Sequence, residues 1–430
     1  MARPEAMAEH LLVDLHGVEI GRVERGDRLE RIRFSVDSAL EVPDVRLTEA
    51  FATLPGREVR SDLASSLFGG YAPEGAQRRG LAARHGFDPR DLFAMLRQFG
   101  ASIAGAITLR GADEAREVAP SYEPVSSSDL GRLLRAAMRD GDLGIRDDSR
   151  SMIQGFQPKV LLTRFSADRE WLQPHGRAHS THILKPQLGS KPAAIFDEHY
   201  SHALSRHLGL ARFDSGIGRA GALPYLAIQR FDRRVAGEGV ELLHQEDAAQ
   251  ALNLEWADDQ AKFQDPANPG SPARPSARRI AEAAASLDED AMELWIRQLT
   301  YRILIGDNDG HAKNVGILHL PSRDTLSDVY DAVPNLYQAG RITWDMALAV
   351  DGEFDHRRMS IERIVQEAVS WRVVGTHRIE RIVQDMVQRF ADALGAVEPS
   401  VETTSGMREG LAWNASRLLA GSEIGERRRR

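Results

Sequence analysis

The sequence of 430 residues contains the dense polar stretch Gly306-Asp307-Asn308-Asp309-Gly310-His311-Ala312-Lys313-Asn314. Residues 296–304, just before it, repeat apolar side chains at helical spacing, so we expect this stretch to be a loop at the end of a helix. Asp309 and Asn314 stand five residues apart, the spacing at which a kinase catalytic loop carries its proton-accepting Asp and metal-holding Asn. Asp, Asn and Gly also dominate ordinary turns, so the spacing alone leaves a purely structural loop open.

A further acidic residue lies downstream of this stretch. Asp331 stands seventeen residues after Asn314, following a short apolar run that begins at Val329. Mg²⁺ prefers carboxylate oxygens that are combined with substrate phosphates, so a carboxylate at this point would suit a magnesium site. We therefore predict that Asp331 is a metal ligand, with an ordinary turn residue as the alternative.

Upstream, the sequence contains a candidate phosphate-binding turn, Gln154-Gly155-Phe156-Gln157-Pro158-Lys159. It precedes the strand-like Val160–Leu162, which is where a turn that covers phosphates should lie. Its single glycine does not match the Walker A pattern, so the P-loop class of nucleotide-binding proteins is disfavoured. Lys159 is a candidate phosphate ligand, with an ordinary surface lysine as the alternative.

A second lysine is a candidate phosphate ligand because it ends a strand-like segment. Lys185 closes Thr181-His182-Ile183-Leu184-Lys185, and a lysine at the end of a buried strand must find a partner charge or water. Glu198 follows on a predicted helix, and a strand lysine paired with a helix glutamate holds ATP phosphates in kinases. The alternative is that either residue is simply solvated. Gln229-Arg230-Phe231 follows a third strand-like run and is a candidate hinge against adenine, or else a charged strand end.

Composition limits the classes of function. Lysine and arginine total 55 against 63 acidic residues, a net charge of −8 that argues against wholesale coating of nucleic acid or membrane. The hydrophobic share of 42% and charged share of 27% are ordinary globular values. The absence of cysteine excludes disulfides, cysteine nucleophiles and thiolate metal sites. No apolar run reaches the roughly 18 residues of a membrane span, and the first residues lack a signal-peptide core, so we expect a cytoplasmic protein without a membrane partner.

The order of the patterns along the chain predicts an α+β protein. Alternating apolar runs on either side of His16-Gly17 predict a β-hairpin, and residues 1–110 are expected to form a small α+β unit. Residues 103–107 are expected to form a buried strand, and the acidic stretch 111–128 a linker. Residues 257–278 contain four prolines and are expected to form a mobile loop, followed by a mostly helical end.

Three histidines raise the question of a metal site. His175, His179 and His182 are spaced by four and three residues, but they span a Gly- and Pro-containing stretch rather than a clear helix. No His-Glu-x-x-His motif is present, so zinc binding at these histidines is disfavoured.

Taken together, these motifs resemble the HipA family of serine/threonine kinases, the toxins of bacterial type II toxin–antitoxin modules. The most specific block is Asp309-Gly310-His311-Ala312-Lys313-Asn314, and Gly155-Phe156-Gln157-Pro158-Lys159 resembles the family's phosphate loop. Further family-like blocks are Phe99-Gly-Ala-Ser-Ile-Ala-Gly-Ala-Ile-Thr-Leu109, Thr181-His-Ile-Leu-Lys185, Arg230-Phe-Asp-Arg233 and Gln245-Glu-Asp247. The resemblance therefore runs through most of the chain.

The resemblance implies an α+β, two-lobed protein-kinase-like fold related to phosphatidylinositol kinases, with ATP bound in the cleft. Residues 1–110 would form a small N-terminal α+β subdomain, and residues 111–148 a linker and the start of the N-lobe. The ATP-binding N-lobe would span residues 149–235. A mostly helical C-lobe with the catalytic loop would span residues 236–430.

The resemblance also implies roles for individual residues. Asp309 would be the catalytic base, and Asn314 and Asp331 would hold Mg²⁺. Lys185 would contact the α- and β-phosphates of ATP. The whole nucleotide site would comprise Gln154, Gly155, Phe156, Gln157, Pro158, Lys159, Lys185, Gln229, Arg230, Phe231, His311, Ala312, Lys313, Asn314, Tyr330 and Asp331.

The implied activity is phosphorylation of an aminoacyl-tRNA synthetase, such as the glutamyl enzyme, which arrests growth. The implied partner is a small helix-turn-helix antitoxin, HipB-like, with which the kinase would repress operator DNA. A nucleotide-binding co-repressor without catalysis, and a lipid or small-molecule kinase, remain alternative functions.

Two positions depart from the family pattern. Gln229 stands where the family's hinge has Glu, a mild change if backbone groups bind the adenine. The family's self-phosphorylated serine lies three residues before the loop glycine, where this chain has Met152. Ser151 is the best candidate for autophosphorylation and Ser149 the alternative.

Overall fold

The computed structural model describes residues 9–40, 46–112, 114, 120–140, 152–154, 157–237, 239–338, 340 and 343–427. It divides into two compact units, each built from several segments of the chain. Unit 1 lies within residues 1–182, 232–246 and 255–259, and unit 2 within residues 183–231, 247–254 and 260–430. In the part of the chain so described, no helix is long and apolar enough to cross a bilayer.

The described residues form short strands and helices of ordinary length. The strands are β1 (His10–Leu15), β2 (Val18–Arg25), β3 (Ile32–Val36), β4 (Glu58–Val59), β5 (Ile107–Gly111), β6 (Ser121–Pro124), β7 (Val160–Leu162), β8 (Leu172–His175), β9 (His182–Pro186), β10 (Ser215–Ala220), β11 (Leu223–Gln229), β12 (Arg233–Ala236), β13 (Gly239–Leu242), β14 (His244–Asp247), β15 (Gly316–Leu320), β16 (Arg323–Leu326), β17 (Asp345–Val350) and β18 (Glu353–Asp355). The α-helices are α1 (Ser61–Gly70), α2 (Gly75–His85), α3 (Leu92–Phe99), α4 (Ser127–Asp140), α5 (Ala194–His207), α6 (Ala248–Ala251), α7 (Ala277–Ala284), α8 (Ala291–Ile305), α9 (Ile361–Ser370), α10 (Thr376–Ala396) and α11 (Met407–Leu419). Single 3₁₀ turns are Ala312–Asn314, Asn335–Tyr337 and His356–Arg358.

The N-terminal part of unit 1 is an antiparallel sheet in the order β4-β3-β2-β1-β5. Strands β1 and β2 pair around a tight turn at His16-Gly17, whose φ angles are 50° and 77°. A two-residue turn with positive φ at both positions matches the right-handed twist of the flanking strands. The predicted hairpin is therefore confirmed. Helices α1 and α3 pack on this sheet, and Val23 and Phe34 are fully buried.

The buried strand expected at residues 103–107 is wrong, because the strand begins where the expected one ends. Strand β5 starts at Ile107, and Gly105 before it has a φ of 77°, which belongs to a turn. The Gly105 N–H donates to the Asp232 carboxylate at 2.8 Å, and the Arg233 guanidinium donates to the carbonyls of Ile103 and Gly105. These side chains satisfy the backbone groups that a strand would have paired with a neighbouring strand.

Part of the stretch with linker-like composition is regular structure. Strand β6 pairs with β8, and Val125 N donates to the Trp171 carbonyl at 2.8 Å. Helix α4 then begins at Ser127, with Ser126 Oγ accepting from Asp129 N at 3.2 Å. Polar composition therefore reflects the exposure of β6 here, where most side chains face solvent.

Unit 2 is mostly helical, as the apolar periodicity of the C-terminal part predicts. Helix α8 packs against α7, α10 and α11, and its Trp295 and Tyr301 side chains are fully buried. Apolar residues of these helices form one continuous core. Helices α9, α10 and α11 confirm the helical end expected from the sequence.

A smaller layer of unit 2 carries strands β10, β11 and β9 in that spatial order. Helix α5 packs on β10 and β11, where Ile195 and Phe196 contact Leu226. The predicted strands at β9 and β11 and the predicted helix between them are therefore confirmed. This layer brings the end of β9, which carries Lys185, beside the start of α5, which carries Glu198.

The loop expected at residues 257–278 is hydrogen-bonded to a strand in its unit 2 part. Residues 260–276 form no helix or strand, as their prolines predict. Gln264, however, donates its N–H to the Ala347 carbonyl at 3.1 Å, and its Oε1 accepts from Ala349 N at 2.7 Å. Gln264 thereby attaches the segment to strand β17. A buried amide side chain thus takes the place of regular backbone pairing here. The absence of a helix or strand over residues 260–276 agrees with the prediction, and the mobility of the loop stays a prediction.

Candidate active site

The polar stretch singled out in the sequence begins where helix α8 ends. Gly306 has a φ of 68°, and Asp307 N donates to the Arg302 carbonyl at 2.9 Å, which is the Schellman pattern of helix termination. The Tyr337 ring would lie 2.8 Å from a Cβ placed on Gly306. Only glycine combines this left-handed backbone with so close a ring, so Gly306 determines the direction in which the loop leaves the helix.

The loop after α8 presents Asp309 to solvent and buries its neighbours. The Asp309 side chain is 59% exposed, whereas His311, Ala312, Lys313 and Asn314 are buried. The backbone of the loop is fixed, since Asp309 N donates to Asp307 Oδ1 at 3.0 Å and Ala312 N donates to the Lys262 carbonyl at 3.2 Å. A fixed backbone with one exposed carboxylate is an arrangement that can accept a proton from an incoming group.

Asn314 is held against the same loop. Its Nδ2 donates to the Asp309 carbonyl at 2.9 Å. This bond orients the amide so that Oδ1 is the atom available to a further partner, and amide oxygens accept hydrogen bonds or bind cations. The predicted pair, five residues apart, is therefore joined by a direct hydrogen bond.

Lys185 lies between two carboxylates. Its Nζ is 2.7 Å from Glu198 Oε1 and 2.7 Å from Asp331 Oδ1, although Asp331 is 146 residues away in sequence. Burial disfavours the charged ammonium, but the charges of Asp331 and Glu198 outweigh burial and raise the pKa of Lys185. The pairing of a strand lysine with a helix glutamate, considered from sequence, is present. Lys185 also brings Asp331 into the same cluster.

Glu198 and Asp331 differ in exposure. The Glu198 side chain is 7% exposed and the Asp331 side chain 43% exposed. Asp331 also has a φ of 49°, an uncommon left-handed conformation for a residue with a side chain. Glu198 is thus a fixed buried partner of the lysine, whereas the Asp331 carboxylate reaches solvent and can take up other ligands.

The segment expected to be a hinge lies beside the Asp331 loop. The Phe231 ring is 5.1 Å from the Tyr330 ring with an interplanar angle of 32°, and Tyr330 Oη donates to the Lys313 carbonyl at 2.7 Å. Gln229 does not extend outward: its N–H donates to the Asp214 carbonyl at 2.8 Å, and its Oε1 accepts from Asp214 N at 3.1 Å. Arg230 is buried.

The candidate phosphate turn belongs to unit 1. Lys159 is buried, and its Nζ donates to the Gln154 carbonyl at 3.2 Å, so the lysine closes the turn on itself. Gln157 and Pro158 lie between them. Gly155, Phe156 and the candidate phosphorylation sites Ser149 and Ser151 lie outside the described residues.

Sequence reasoning missed a buried ion pair next to the loop that follows α8. The Arg302 guanidinium donates to Asp307, and it also reaches the carbonyls of Asn314 at 2.6 Å and Tyr330 at 3.1 Å. Burial raises the pKa of Asp307 to about 6, an effect that the charge of Arg302 opposes. The available signal was an arginine within the apolar helix α8, one turn before the loop.

The three histidines considered for zinc have separate neighbours. His179 Nδ1 is 2.9 Å from Ser102 Oγ, and His182 Nδ1 is 2.8 Å from Thr181 Oγ1. His175 lies 3.5 Å from Glu123. Within the described part of the chain, these three histidines do not form a shared group of metal ligands.

Comparison with known proteins gives matches over most of the chain. A family model described as "HipA N-terminal domain" matches residues 11–110. "Putative kinase Y4mE" of Sinorhizobium fredii is 27% identical over 346 residues, which cover 77% of this chain and 78% of that protein. A chain of the HipA, HipB and operator DNA complex of Shewanella oneidensis MR-1 has a TM-score of 0.76 at 20% identity, covering 95% of this chain and 96% of that chain.

The structural match confirms the mixed α/β fold that the resemblance implied, with strands and helices arranged as in HipA. A second family model, described as "HipA-like C-terminal domain", matches residues 151–394 and so includes Lys185, Asp309 and Asp331. This match alone spans more than half of the sequence, and the N-terminal model matches a separate segment before it. The chain therefore belongs to the HipA family.

Proposed function

We propose that this protein is an ATP- and Mg²⁺-dependent serine/threonine protein kinase. The observation that carries the proposal is the Lys185 ammonium, 2.7 Å from both Glu198 and Asp331. A lysine held by a helix glutamate beside a metal-binding aspartate is the arrangement kinases use to bind ATP phosphates. The same compact unit contains the loop with Asp309 and Asn314. The name of the Sinorhizobium relative, a kinase, supports this proposal.

Each group has a role in phosphoryl transfer that follows from its surroundings. Asp309, exposed on a fixed loop, would receive the proton of the acceptor hydroxyl. Lys185 would bind the phosphates of ATP while Glu198, buried, keeps the ammonium oriented. Transfer of a phosphoryl group needs little covalent help from the protein, so positioning and charge neutralisation would supply most of the rate enhancement.

The donor set of this chain fits Mg²⁺. Asp331 offers an exposed carboxylate, and Asn314 offers the amide oxygen left over when its Nδ2 bonds to the Asp309 carbonyl. Oxygen ligands of this kind suit magnesium, which keeps its remaining positions for water and phosphate. When bound, the ion would neutralise phosphate charge.

The remaining predicted residues would bind the rest of the nucleotide. The neighbouring rings of Phe231 and Tyr330 offer flat apolar surfaces suited to a base, with Gln229 and Arg230 alongside. His311, Ala312 and Lys313 would complete the nucleotide site. The turn from Gln154 to Lys159, which includes Gly155, Phe156, Gln157 and Pro158, would cover the phosphates.

We further propose that the kinase is the toxin of a type II toxin–antitoxin module. Its partner would be a small helix-turn-helix antitoxin, and through it operator DNA, because the Shewanella HipA relative is described in a complex of that composition. Its acceptor would be an aminoacyl-tRNA synthetase such as the glutamyl enzyme, phosphorylated in the cytoplasm. The family membership of the chain supports these partners.

The kinase proposal is tested by transfer of labelled γ-phosphate from ATP to proteins of a cell lysate. The wild-type protein should label a serine- or threonine-containing acceptor, and Asp309→Asn should lower transfer at least about 100-fold, since a positioned general base contributes that much. ATP binding by Asp309→Asn should be retained. Undiminished labelling by this variant would contradict the role of Asp309.

The same lysate assay separates the kinase from the other candidate functions. A wild-type protein that binds ATP but labels no acceptor would indicate a nucleotide-binding co-repressor. Labelled lipid instead of labelled protein would indicate a lipid kinase. Mass spectrometry of the labelled band would identify the acceptor, and a band other than a synthetase would contradict the proposed substrate.

We also predict autophosphorylation at Ser151. A phosphate there would add about −1.5 to −2 charge next to the phosphate-covering turn and would repel ATP. Incubation with ATP followed by peptide mass spectrometry should find the modification on Ser151. Ser151→Ala should remove it, whereas an unmodified peptide over residues 149–151 would contradict the prediction.

A further inference from the structure

A single buried guanidinium contacts three segments of the proposed active site. Arg302 lies in the last turn of α8 with its side chain 4% exposed. Its Nη1 donates to Asp307, and its Nη2 donates to the Asn314 carbonyl at 2.6 Å and the Tyr330 carbonyl at 3.1 Å. The two carbonyls lie 12 and 28 residues beyond Arg302 in sequence.

Each of these contacts adjoins a residue of the proposed chemistry. Asn314 is itself a proposed metal ligand, and Tyr330 directly precedes Asp331, the other one. Asp307, besides binding Arg302, accepts the Asp309 N–H at 3.0 Å. Besides the direct bond from Asn314 to the Asp309 carbonyl, one side chain thus links the segments that carry Asp309, Asn314 and Asp331, and it contacts none of the three carboxylate or amide groups.

We propose that Arg302 is a positioning residue that sets the spacing between the base and the two metal ligands. The inference rests on the proposed kinase function and assigns a role to a residue outside the nucleotide site. Arg302 acts only through Asp307 and two backbone carbonyls. Its removal should therefore change metal affinity and turnover without removing any group that touches the substrate.

The geometry requires arginine rather than any cation. A guanidinium is a planar fork, so one nitrogen can bind a carboxylate while the other bridges two carbonyls. Lysine carries the same charge on one nitrogen at the end of a flexible stem and lacks the rigid fork that presents two nitrogens to separate acceptors. The surrounding space is also tight, because a Cβ on Gly310 would lie 2.9 Å from Arg302 Cδ and 3.3 Å from Asp307 Oδ2.

Arg302→Lys tests this role, with Arg297→Lys as its matched control. Arg297 lies on the same helix but forms an ion pair with Asp385 at the surface. The measurements are Mn²⁺ affinity in the presence of ADP, followed by electron paramagnetic resonance, ADP affinity without metal, and kcat for labelled phosphate transfer. Mutation of a residue that supports the ligands of a metal site typically lowers metal affinity about 10- to 100-fold.

We expect Arg302→Lys to weaken Mn²⁺ binding about 10- to 100-fold and to lower kcat by a similar factor. Metal-free ADP affinity should stay within about twofold of wild type, because Arg302 contacts the proposed base-binding residues only at the Tyr330 backbone carbonyl and touches neither ring. A merely structural role would instead move all three measurements together. Arg297→Lys should match wild type in all of them.

The outcomes separate this inference from the proposed function. If ADP binds to the wild-type protein equally well with and without metal, both the proposed function and the inference about Arg302 are overturned. Metal-dependent binding in wild type with equal Mn²⁺ affinity in Arg302→Lys and Arg297→Lys would overturn only the inference. If Arg302→Lys shows no cooperative thermal transition, and so does not fold, Asp307→Asn replaces it as the test variant. Unchanged Mn²⁺ affinity and kcat in folded Asp307→Asn would also overturn the inference.

Discussion

At the scale of single residues, Lys185 has one buried partner and one partly exposed partner. The Glu198 side chain is almost fully buried, and the Asp331 side chain is partly open to solvent. Breaking a buried ion pair by removing one partner typically costs about 3–5 kcal/mol, because the remaining charge is left uncompensated. We therefore expect Asp331 to leave the lysine when nucleotide and metal bind, and Glu198 to remain.

The substitution Glu198→Gln tests this division of roles. Glutamine keeps the size and a hydrogen-bond acceptor but removes the charge that fixes Lys185, so kcat/KM should fall about 10- to 100-fold, as expected for a lost charge-assisted bond. Steady-state transfer kinetics measure the change. Glu402→Gln, in a surface ion pair with Arg219 at 3.8 Å, is the control and should retain wild-type kinetics. Equal values for the two variants would show that Glu198 does not position the lysine.

Local spacing explains which site residues could be predicted from sequence. The pair Asp309 and Asn314 lies within one short loop, and Glu198 lies one strand–helix connection after Lys185. The contact of Lys185 with Asp331 joins residues 146 apart, and Arg302 reaches acceptors in two different loops. These last contacts depend on how the core of unit 2 packs, which periodicity does not reveal.

At the scale of secondary-structure elements, the end of helix α8 determines how the loop with Asp309 and Asn314 begins. Gly306 takes a left-handed conformation there, and Leu336 N donates to its carbonyl at 3.2 Å. Tyr337, in the same segment as Leu336, packs on Gly306 and donates through Oη to Asn414 Oδ1 at 2.6 Å. Helix α11, which carries Asn414, therefore supports the loop from behind.

Gly306→Ala should destabilise the protein and reduce transfer. A left-handed conformation costs about 1–2 kcal/mol with a side chain, and the new Cβ would also meet the Tyr337 ring at 2.8 Å. Gly209→Ala is the matched control, since Gly209 has a φ of 75° but a Cβ placed on it would meet no atom within 4 Å. Urea unfolding should show a larger loss for Gly306→Ala. Equal losses would contradict the contribution of Tyr337.

Elements were predictable where amphipathic periodicity is uninterrupted. The β1–β2 hairpin and helices α8 to α10 follow their apolar patterns. Strand β5 was misplaced because residues 103–106 are apolar but form a turn whose carbonyls are bound by Arg233, a residue far away in sequence. The 260–276 segment has loop composition, yet Gln264 fixes it to β17. In both cases a buried side chain replaces backbone pairing.

At the scale of the whole molecule, buried histidines make stability depend on pH. Burial lowers the pKa of His182, His202 and His356 to about 4. In the unfolded chain these groups titrate near 6.5, so between pH 6.5 and 4 the unfolded state binds more protons than the folded state. Their contribution to stability is complete above pH 6.5 and is lost as the pH falls towards 4.

The free energy of unfolding should fall with a slope of about 1.4 kcal/mol per pH unit for each such histidine between pH 6.5 and 4. Asp307 opposes this trend, because its pKa is raised to about 6 in the folded state. His356→Gln should reduce the slope because it removes one of these titrating groups. The variant should keep its fold, since glutamine can still donate to the Ile303 carbonyl that His356 Nε2 contacts at 2.7 Å. Denaturant unfolding at several pH values from 7 to 5 measures this slope of the free energy of unfolding.

The control for the pH experiment is His377→Gln. His377 is exposed on helix α10, so its replacement should leave the slope as in wild type. If His356→Gln leaves the slope unchanged, His356 takes up a proton in the folded protein as readily as in the unfolded chain.

The most direct test of the proposed site is calorimetric titration of the wild-type protein and Asp331→Ala with a non-hydrolysable ATP analogue, with and without Mg²⁺. Wild type should bind the analogue more tightly with Mg²⁺ than without it, because in the proposed site Asn314 and Asp331 would supply oxygen ligands to the metal. Asp331→Ala should lose most of this difference. Wild-type binding that does not respond to Mg²⁺, or an Asp331→Ala variant that responds as wild type does, would contradict the account.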